Sequence, residues 1–262
     1  MKDNSFLFWP KKSLGQNFLV DMYVRDKIID ACELNKDDVV LEIGPGKGVL
    51  TEQIALRASK LIAIEKDEYL VEKLKKSISR GNVSIIACDI LKYPFNSLPE
   101  GIKLIGNLPY NIATPIIEKA LLYRNKFVSL YITVQLEYGK RLSAPVGSKD
   151  YGTLTCFVQY YADVKILFKI KNTAFKPVPK VYSCFVQLDL LKEPRVKVKD
   201  ESLLFRVIRH GFAQRRKSIY NSLSSILGKR RGKDILEELG FSHRLRAEDL
   251  SISDYARIVN VL

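Results

Sequence analysis

From about residue 21 to residue 134 the chain alternates short apolar runs rich in β-branched residues with stretches whose apolar residues recur every three or four positions. Few folds accommodate that alternation, because each run must be buried on both faces and each amphipathic stretch can cover one of them; βαβ units on a parallel sheet do so. "VVLEIG" (39–44), "LIAIE" (61–65), "VSIIAC" (83–88), "IKLIGN" (102–107) and "FVSLYITV" (127–134) are the expected strands. "VLTEQIALRA", "DEYLVEKLKKSI" and "TPIIEKALLY" are the intervening helices. The fold class that follows is α/β, an open, doubly wound, mostly parallel sheet.

Past Gln135 the pattern changes. A short helix ending near Leu142 and a loop of turn formers, "SAPVGSKDYG", precede three strand-like segments, "TLTCFVQYYA", "VKILFKI" and "VYSCFVQLDLL", which are expected to add an antiparallel pair at the sheet edge. From about Glu193 the chain is helical in periodicity and dense in Lys and Arg. Pro and charge break the apolar pattern at "LKEPRVKVKD", which puts a domain boundary there: residues 1–192 form the large domain and 193–262 a small all-α one.

Charge narrows the partners. Lys and Arg number 43 against 29 Asp and Glu, and the resulting +14 favours nucleic acid or an anionic membrane surface. No apolar stretch approaches the roughly 20 residues that cross a bilayer, and the start "MKDNSFLFWPKKS" has too short an apolar segment for a secretory signal. A soluble, cytoplasmic protein is expected. Cys32, Cys88, Cys156 and Cys184 are far apart in apolar surroundings, as suits reduced thiols, and neither His210 nor His243 has a partner at metal-ligand spacing. No metal site is expected.

Two constellations carry chemistry. Gly44, Gly46 and Gly48 follow the first expected strand and open a helix, where glycine lets backbone pass close to a ligand. Glu65, about 20 residues on, ends the next strand, where a carboxylate can accept both hydroxyls of a ribose. Asp89 ends the third, placed to accept adenine amino hydrogens while Ile90 or Leu91 packs on the ring. Glycines and Glu65 alone suit a nicotinamide dinucleotide equally well; Asp89 tilts the cleft toward adenosine.

Asn107-Leu108-Pro109-Tyr110 ends the fourth strand beside that cleft. An adenine amino group is a poor nucleophile because its lone pair is delocalised into the ring. The Asn107 side-chain oxygen and the Leu108 carbonyl can grip its two N–H bonds and aim the lone pair at an incoming methyl group. Pro109 stiffens the backbone, and Tyr110 offers a face to a base swung out of its helix. A nicotinamide oxidoreductase has no use for this tetrapeptide.

In this order, "KSLGQNFL" (12–19), "EIGPGKGVLT", "GNLPYNIATPI", "GSKDYGTLT", "FKPVPKVYS" (175–183) and "FAQRRKSIYNSL" (212–223) make the chain resemble, nearly end to end, the S-adenosylmethionine-dependent ribosomal RNA adenine N6-dimethyltransferases that modify the small-subunit RNA. The resemblance implies a Rossmann-like methyltransferase domain, S-adenosylmethionine as cofactor, and dimethylation of two adjacent adenines in a 3′-terminal hairpin loop during ribosome biogenesis. A monomer is the default expectation, acting on this RNA within a pre-assembled small subunit, with free RNA as the alternative. Asn17 and Leu19, with Gln16 and Phe18, would close over the cofactor; Gly44 would lie along its methionine part, with Gly46 in the same cofactor turn; Glu65, flanked by Lys66, would hold the ribose; Asp89 and Ile90 would meet the adenine; and Asn107 would join the cofactor and target sites. Phe175 would sandwich the target base against Tyr110. Arg215, Arg216, Lys217, Lys229, Arg230 and Arg231 would contact RNA phosphates. Leu136 stands where a basic residue is usual, and Tyr138-Gly139 where small helix formers are, which puts in doubt an RNA contact there. Two rivals share parts of this pattern: a methyltransferase of large-subunit RNA that confers antibiotic resistance, and an assembly factor that binds RNA without turnover.

Overall fold

A computed structural model describes residues 16–109 and 111–262. The N-terminal stretch, with the first half of "KSLGQNFL", and Tyr110 lie outside the described residues. In chain order the elements are β1 (Phe18–Leu19), α1 (Met22–Ala31), β2 (Val39–Ile43), α2 (Thr51–Arg57), β3 (Lys60–Glu65), α3 (Glu68–Ser77), β4 (Val83–Ala87), β5 (Ile102–Asn107), α4 (Ala113–Leu122), β6 (Phe127–Gln135) and α5 (Leu136–Leu142). There follow α6 (Thr153–Tyr161), β7 (Ala162–Ile170), β8 (Phe175–Lys176), β9 (Ser183–Leu190), α7 (Glu201–Ala213), α8 (Ile219–Leu227), α9 (Lys229–Glu238) and α10 (Ile252–Asn260). These residues form two compact units, one running to Leu136 and including Ile166–Leu188, the other made of Glu137–Lys165 and Asp189–Leu262.

Seven strands make one sheet in the order β4-β3-β2-β5-β6-β9-β7. The pairs β2·β3, β3·β4, β2·β5 and β5·β6 are parallel. From β2 the chain winds outward through β3 to β4, then returns to β5 on the other side of β2. The reversal opens a crevice at the carboxyl ends of β2 and β5, where the covering helices part. Register brings Ile43 opposite both Ile64 and Gly106, so the residues just beyond these strands share one edge. Side chains fix the helix starts: the Asp21 carboxylate accepts from Val24 N–H at the head of α1, and Asp67 accepts from Tyr69 N–H at the head of α3. At the sheet's amino end the Lys103 ammonium donates to the Cys32 carbonyl (3.3 Å), the Glu33 carbonyl (2.8 Å) and the Asp38 carboxylate (3.0 Å), tying β5 to the end of α1. A separate antiparallel pair, β1 with β8, sets Leu19 opposite Phe175.

The five strands expected before residue 135 are all present, as are the helices between them. β9 and β7 extend the sheet beyond β6. One expectation is corrected: "TLTCFVQYYA" is not a strand but α6. Its aromatic and β-branched residues suit a pleated surface, yet Phe157, Tyr160 and Tyr161 all meet the Phe205 ring of α7, at centroid distances of 5.2, 5.3 and 6.1 Å. Both tyrosine hydroxyls donate to the Glu201 carboxylate, at 3.1 and 2.9 Å. Tertiary contacts override the local β preference. In the same unit Asp200 caps α7, and Ser251 and Asp254 cap α10 reciprocally. Among the described residues no helix is long and apolar enough to cross a membrane.

Candidate active site

The turn after β2 forms the floor of a cleft at the carboxyl edge. Gly44 N–H donates to the Ile64 carbonyl at 2.9 Å, holding the turn against β3. Gly46 has φ of 59°, where a side chain is strained, and a Cβ there would sit 3.0 Å from two atoms of the Phe18 ring. The N-terminal segment thus lies directly over the glycine turn, which only a bare backbone permits. Gln16, Asn17, Phe18 and Leu19 all line the cleft, as do Gly44, Gly46, Glu65, Lys66, Asp89, Ile90, Asn107, Leu108 and Pro109.

Glu65, 7% exposed, is fixed by three backbone donors: Gly46 N–H to Oε2 at 3.1 Å, and Lys66 N–H (2.9 Å) and Asp67 N–H (3.0 Å) to Oε1. Burial raises its pKa, and these bonds to the charged form oppose the rise. With Oε1 accepting twice and Oε2 once, the carboxylate is held in a fixed orientation and an acceptor site on Oε2 remains for a ligand hydroxyl. Asp89 stands two residues beyond the end of β4. Its Oδ2 pairs with the Lys66 ammonium at 2.8 Å and its Oδ1 accepts from Leu91 N–H at 3.0 Å. The hydrogen bond from Lys66 holds Asp89 below the ordinary carboxylate range, keeping it an acceptor.

Glu42, in the apolar run of β2, lines the same cleft. It is 2% exposed, and its Oε2 has no hydrogen-bond partner among the described residues. Burial pushes its pKa up to about 8, with the Glu65 charge adding to the shift and the neighbouring Thr51 hydroxyl opposing it. An orphaned buried carboxylate facing a cleft fits a cationic ligand group such as the ammonium of an amino acid. One acid inside "VVLEIG" was the signal available, and an apolar run hides it.

Asn107 ends β5. Its Nδ2 donates to the Asn17 carbonyl at 2.9 Å, and Oδ1 has no donor among the described residues. The carboxamide is therefore turned so that its oxygen is the atom left to accept. Leu108 N–H donates to the Thr133 carbonyl at 3.1 Å, anchoring the peptide that follows to β6. Tyr110 lies outside the described residues. Phe175 does not line the cleft: at 1% exposure it belongs to a core cluster with Leu19, Ile28 and Phe185. The structure thus brings Asn17, Leu19, Gly44, Gly46, Glu65, Lys66, Asp89, Ile90, Asn107, Leu108 and Pro109 together and leaves Phe175 in the core.

The basic residues lie in the other unit. Arg216, Lys217, Lys229, Arg230 and Arg231 reach the surface, Arg231 donating to the Val261 carbonyl at 3.1 Å. Arg215 differs: it donates to the Lys149 carbonyl at 2.7 Å and lies 3.5 Å from the Glu248 carboxylate, so it braces the "GSKDYG" loop. Among the described residues no group of three or more His, Cys, Asp or Glu could hold a metal ion.

The family model described as ribosomal RNA adenine dimethylase matches residues 8–262. The chain is 42% identical over 260 residues to ribosomal RNA small subunit methyltransferase A of Clostridium botulinum strain Kyoto, covering 97% of this chain and 94% of that protein. It is 42% identical over 252 residues to the protein of the same name from Clostridium acetobutylicum, covering 94% and 91%. Among solved structures, a dimethyladenosine transferase from Plasmodium falciparum superposes with a TM-score of 0.80 at 26% identity, covering 92% of this chain and 95% of that one. The 23S rRNA methyltransferase ErmE does so with a TM-score of 0.75 at 26% identity, covering 93% and 98%.

Proposed function

The chain belongs to the ribosomal RNA adenine dimethylase family, and from that premise we propose how its own residues carry out the reaction. It is an S-adenosylmethionine-dependent ribosomal RNA adenine dimethyltransferase. The cofactor, when bound, supplies an electrophilic methyl group on a sulfonium. Glu65 accepts the ribose hydroxyls, Asp89 the adenine amino hydrogens, and Ile90 packs on the ring; Asn17 and Leu19 cover the ligand, Gly44 and Gly46 admit its methionine end, and Lys66 keeps Asp89 ionised.

Asn107 Oδ1 and the Leu108 carbonyl hold the target amino group by its two N–H bonds, so that the nitrogen lone pair faces the methyl donor. The observation that carries this reading is the Asn107 Nδ2 bond to the Asn17 carbonyl, which leaves Oδ1 as the acceptor. The target nitrogen releases its proton to water, so no side-chain base is required. The second methylation must grip the single remaining N–H, and Leu108 leaves room for the first methyl. A Leu108→Pro exchange also removes the N–H bonded to Thr133, so its product ratio is informative only beside a stability measurement. Tyr110 and Phe175 are the two faces assigned to the target base, and Phe175, 1% exposed in this structure, must leave its core packing to take that role.

Residues 1–192 serve methyl transfer and 193–262 serve RNA binding, with Arg216, Lys217, Lys229, Arg230 and Arg231 on phosphates and Arg215 completing the set while bracing its loop. The substrate is small-subunit ribosomal RNA, supported by the names of the curated relatives. Two adjacent adenines of a 3′-terminal hairpin loop, presented by a pre-assembled subunit to a monomeric cytoplasmic enzyme, complete the proposal. Labelled methyl donor incubated with unmethylated small subunits should give N6,N6-dimethyladenosine on digestion of their RNA. No label in that RNA, with label incorporated instead in a parallel incubation with large-subunit RNA, would transfer the protein to the resistance-type rival.

A further inference from the structure

Lys119 stands in the last turn of α4, the helix that follows the cleft-lining residues Asn107, Leu108, Pro109, Asn111 and Ile112. Its ammonium donates to three carbonyls of one turn: Ile90 at 3.0 Å, Leu91 at 2.8 Å and Tyr93 at 2.6 Å. The Phe95 ring lies 4.5 Å away and closes the remaining side. An ammonium has three N–H bonds, and all three are matched. Without a cation at their focus, three converging carbonyl dipoles would repel one another.

This turn is the wall of the cleft after β4. Ile90 presents its side chain, 6% exposed, to the cleft and its carbonyl to Lys119. Leu91 gives its N–H to the Asp89 carboxylate and its carbonyl to Lys119. The backbone that follows the Ile90 side chain is therefore held by a single lysine outside the cleft lining, and one oxygen of Asp89 is tied to the same turn through Leu91 N–H.

We propose that Lys119 is a positioning residue that sets the adenine wall of the cofactor cleft, acting through the carbonyls of Ile90, Leu91 and Tyr93. The assignment rests on the reading of this cleft as an S-adenosylmethionine site. It links that wall to α4, so the segment carrying Asn107 and the wall carrying Asp89 move as one piece.

Lys103 supplies the control. It makes a comparable three-acceptor hub at the amino end of the sheet, away from the cleft. The experiment measures Tm, S-adenosylhomocysteine affinity by calorimetry, and KM and kcat for methyl transfer, in the wild type and in Lys119→Met, Lys119→Arg and Lys103→Met. Both Met variants should melt earlier. Only Lys119→Met should weaken S-adenosylhomocysteine and raise the donor KM by about tenfold or more, with kcat at saturating donor within about twofold of wild type. Lys119→Arg, which keeps charge and donors, should recover part of the affinity. Equal KM changes in the two Met variants, or wild-type affinity in Lys119→Met, would overturn the assignment. If Lys119→Met does not fold, Lys119→Gln takes its place with the same two outcomes. A wild-type protein that binds no S-adenosylhomocysteine would instead overturn the cofactor reading itself, and this assignment with it.

Discussion

Glu42 lies within β2, just before the glycine turn, and at 2% exposure its charge is poorly solvated. Its pKa of about 8 in the fold against an ordinary 4.5 means that the folded chain binds a proton which the unfolded chain has lost over that interval. The sign follows: the stability this group contributes is full below about pH 4.5, falls as pH rises, and is lost above about pH 8. Glu42→Gln should therefore flatten the decline in unfolding free energy between about pH 5 and pH 8, measured by denaturant titration at several pH values. An unchanged slope would mean that Glu42 is ionised in the free protein. A bound ammonium would reverse the preference and favour the carboxylate, so S-adenosylmethionine should stabilise the wild type more, at about pH 8, than it stabilises Glu42→Gln. Neighbouring Glu65 shares the burial but has three N–H donors, which is why it can serve as a charged acceptor where one Glu42 oxygen has no partner among the described residues.

At the scale of elements, the staple between α6 and α7 is testable by itself. Glu201→Ala removes the acceptor shared by the Tyr160 and Tyr161 hydroxyls. Because Glu201 is exposed, the expected loss is modest, about 1 kcal/mol, read as a Tm lower by about 2–4 °C; an unchanged Tm would show that ring packing on Phe205 alone holds the pair. The same staple explains what the sequence concealed. Strands β2 to β6 were legible because each is an apolar run bounded by its own turn residues, and Gly46, Glu65, Asp89 and Asn107 were legible because they stand at the ends of those strands. The helix α6 was not, since Thr, Phe, Val and Tyr suit a strand and the deciding partners, Glu201 and Phe205, lie far along the chain. Two-residue strands such as β1 and β8 leave no periodicity to read. Lys119 and Arg215 look like solvated charges in a sequence, yet each has turned inward onto carbonyls.

For the whole molecule, the surplus of 43 basic over 29 acidic residues sets a field that attracts any RNA, and the sites within it divide the work. Arg216 and Lys217 are exposed, whereas Arg215 braces a loop. Changing Arg216 and Lys217 together to Gln should flatten the slope of log affinity against log salt by about 0.7 for each phosphate no longer neutralised, with the fold intact; an unaltered slope would exclude both as phosphate ligands. The proposed mechanism rests on one atom, the Asn107 side-chain oxygen, left to accept by the bond from its amide nitrogen to the Asn17 carbonyl. The most direct measurement is single-turnover methyl transfer at saturating donor on unmethylated small subunits, with S-adenosylhomocysteine affinity measured alongside, for Asn107→Ala against wild type. Transfer slowed by about 10²–10³-fold, with affinity reduced far less, is the predicted result; transfer within about twofold of wild type would contradict the account.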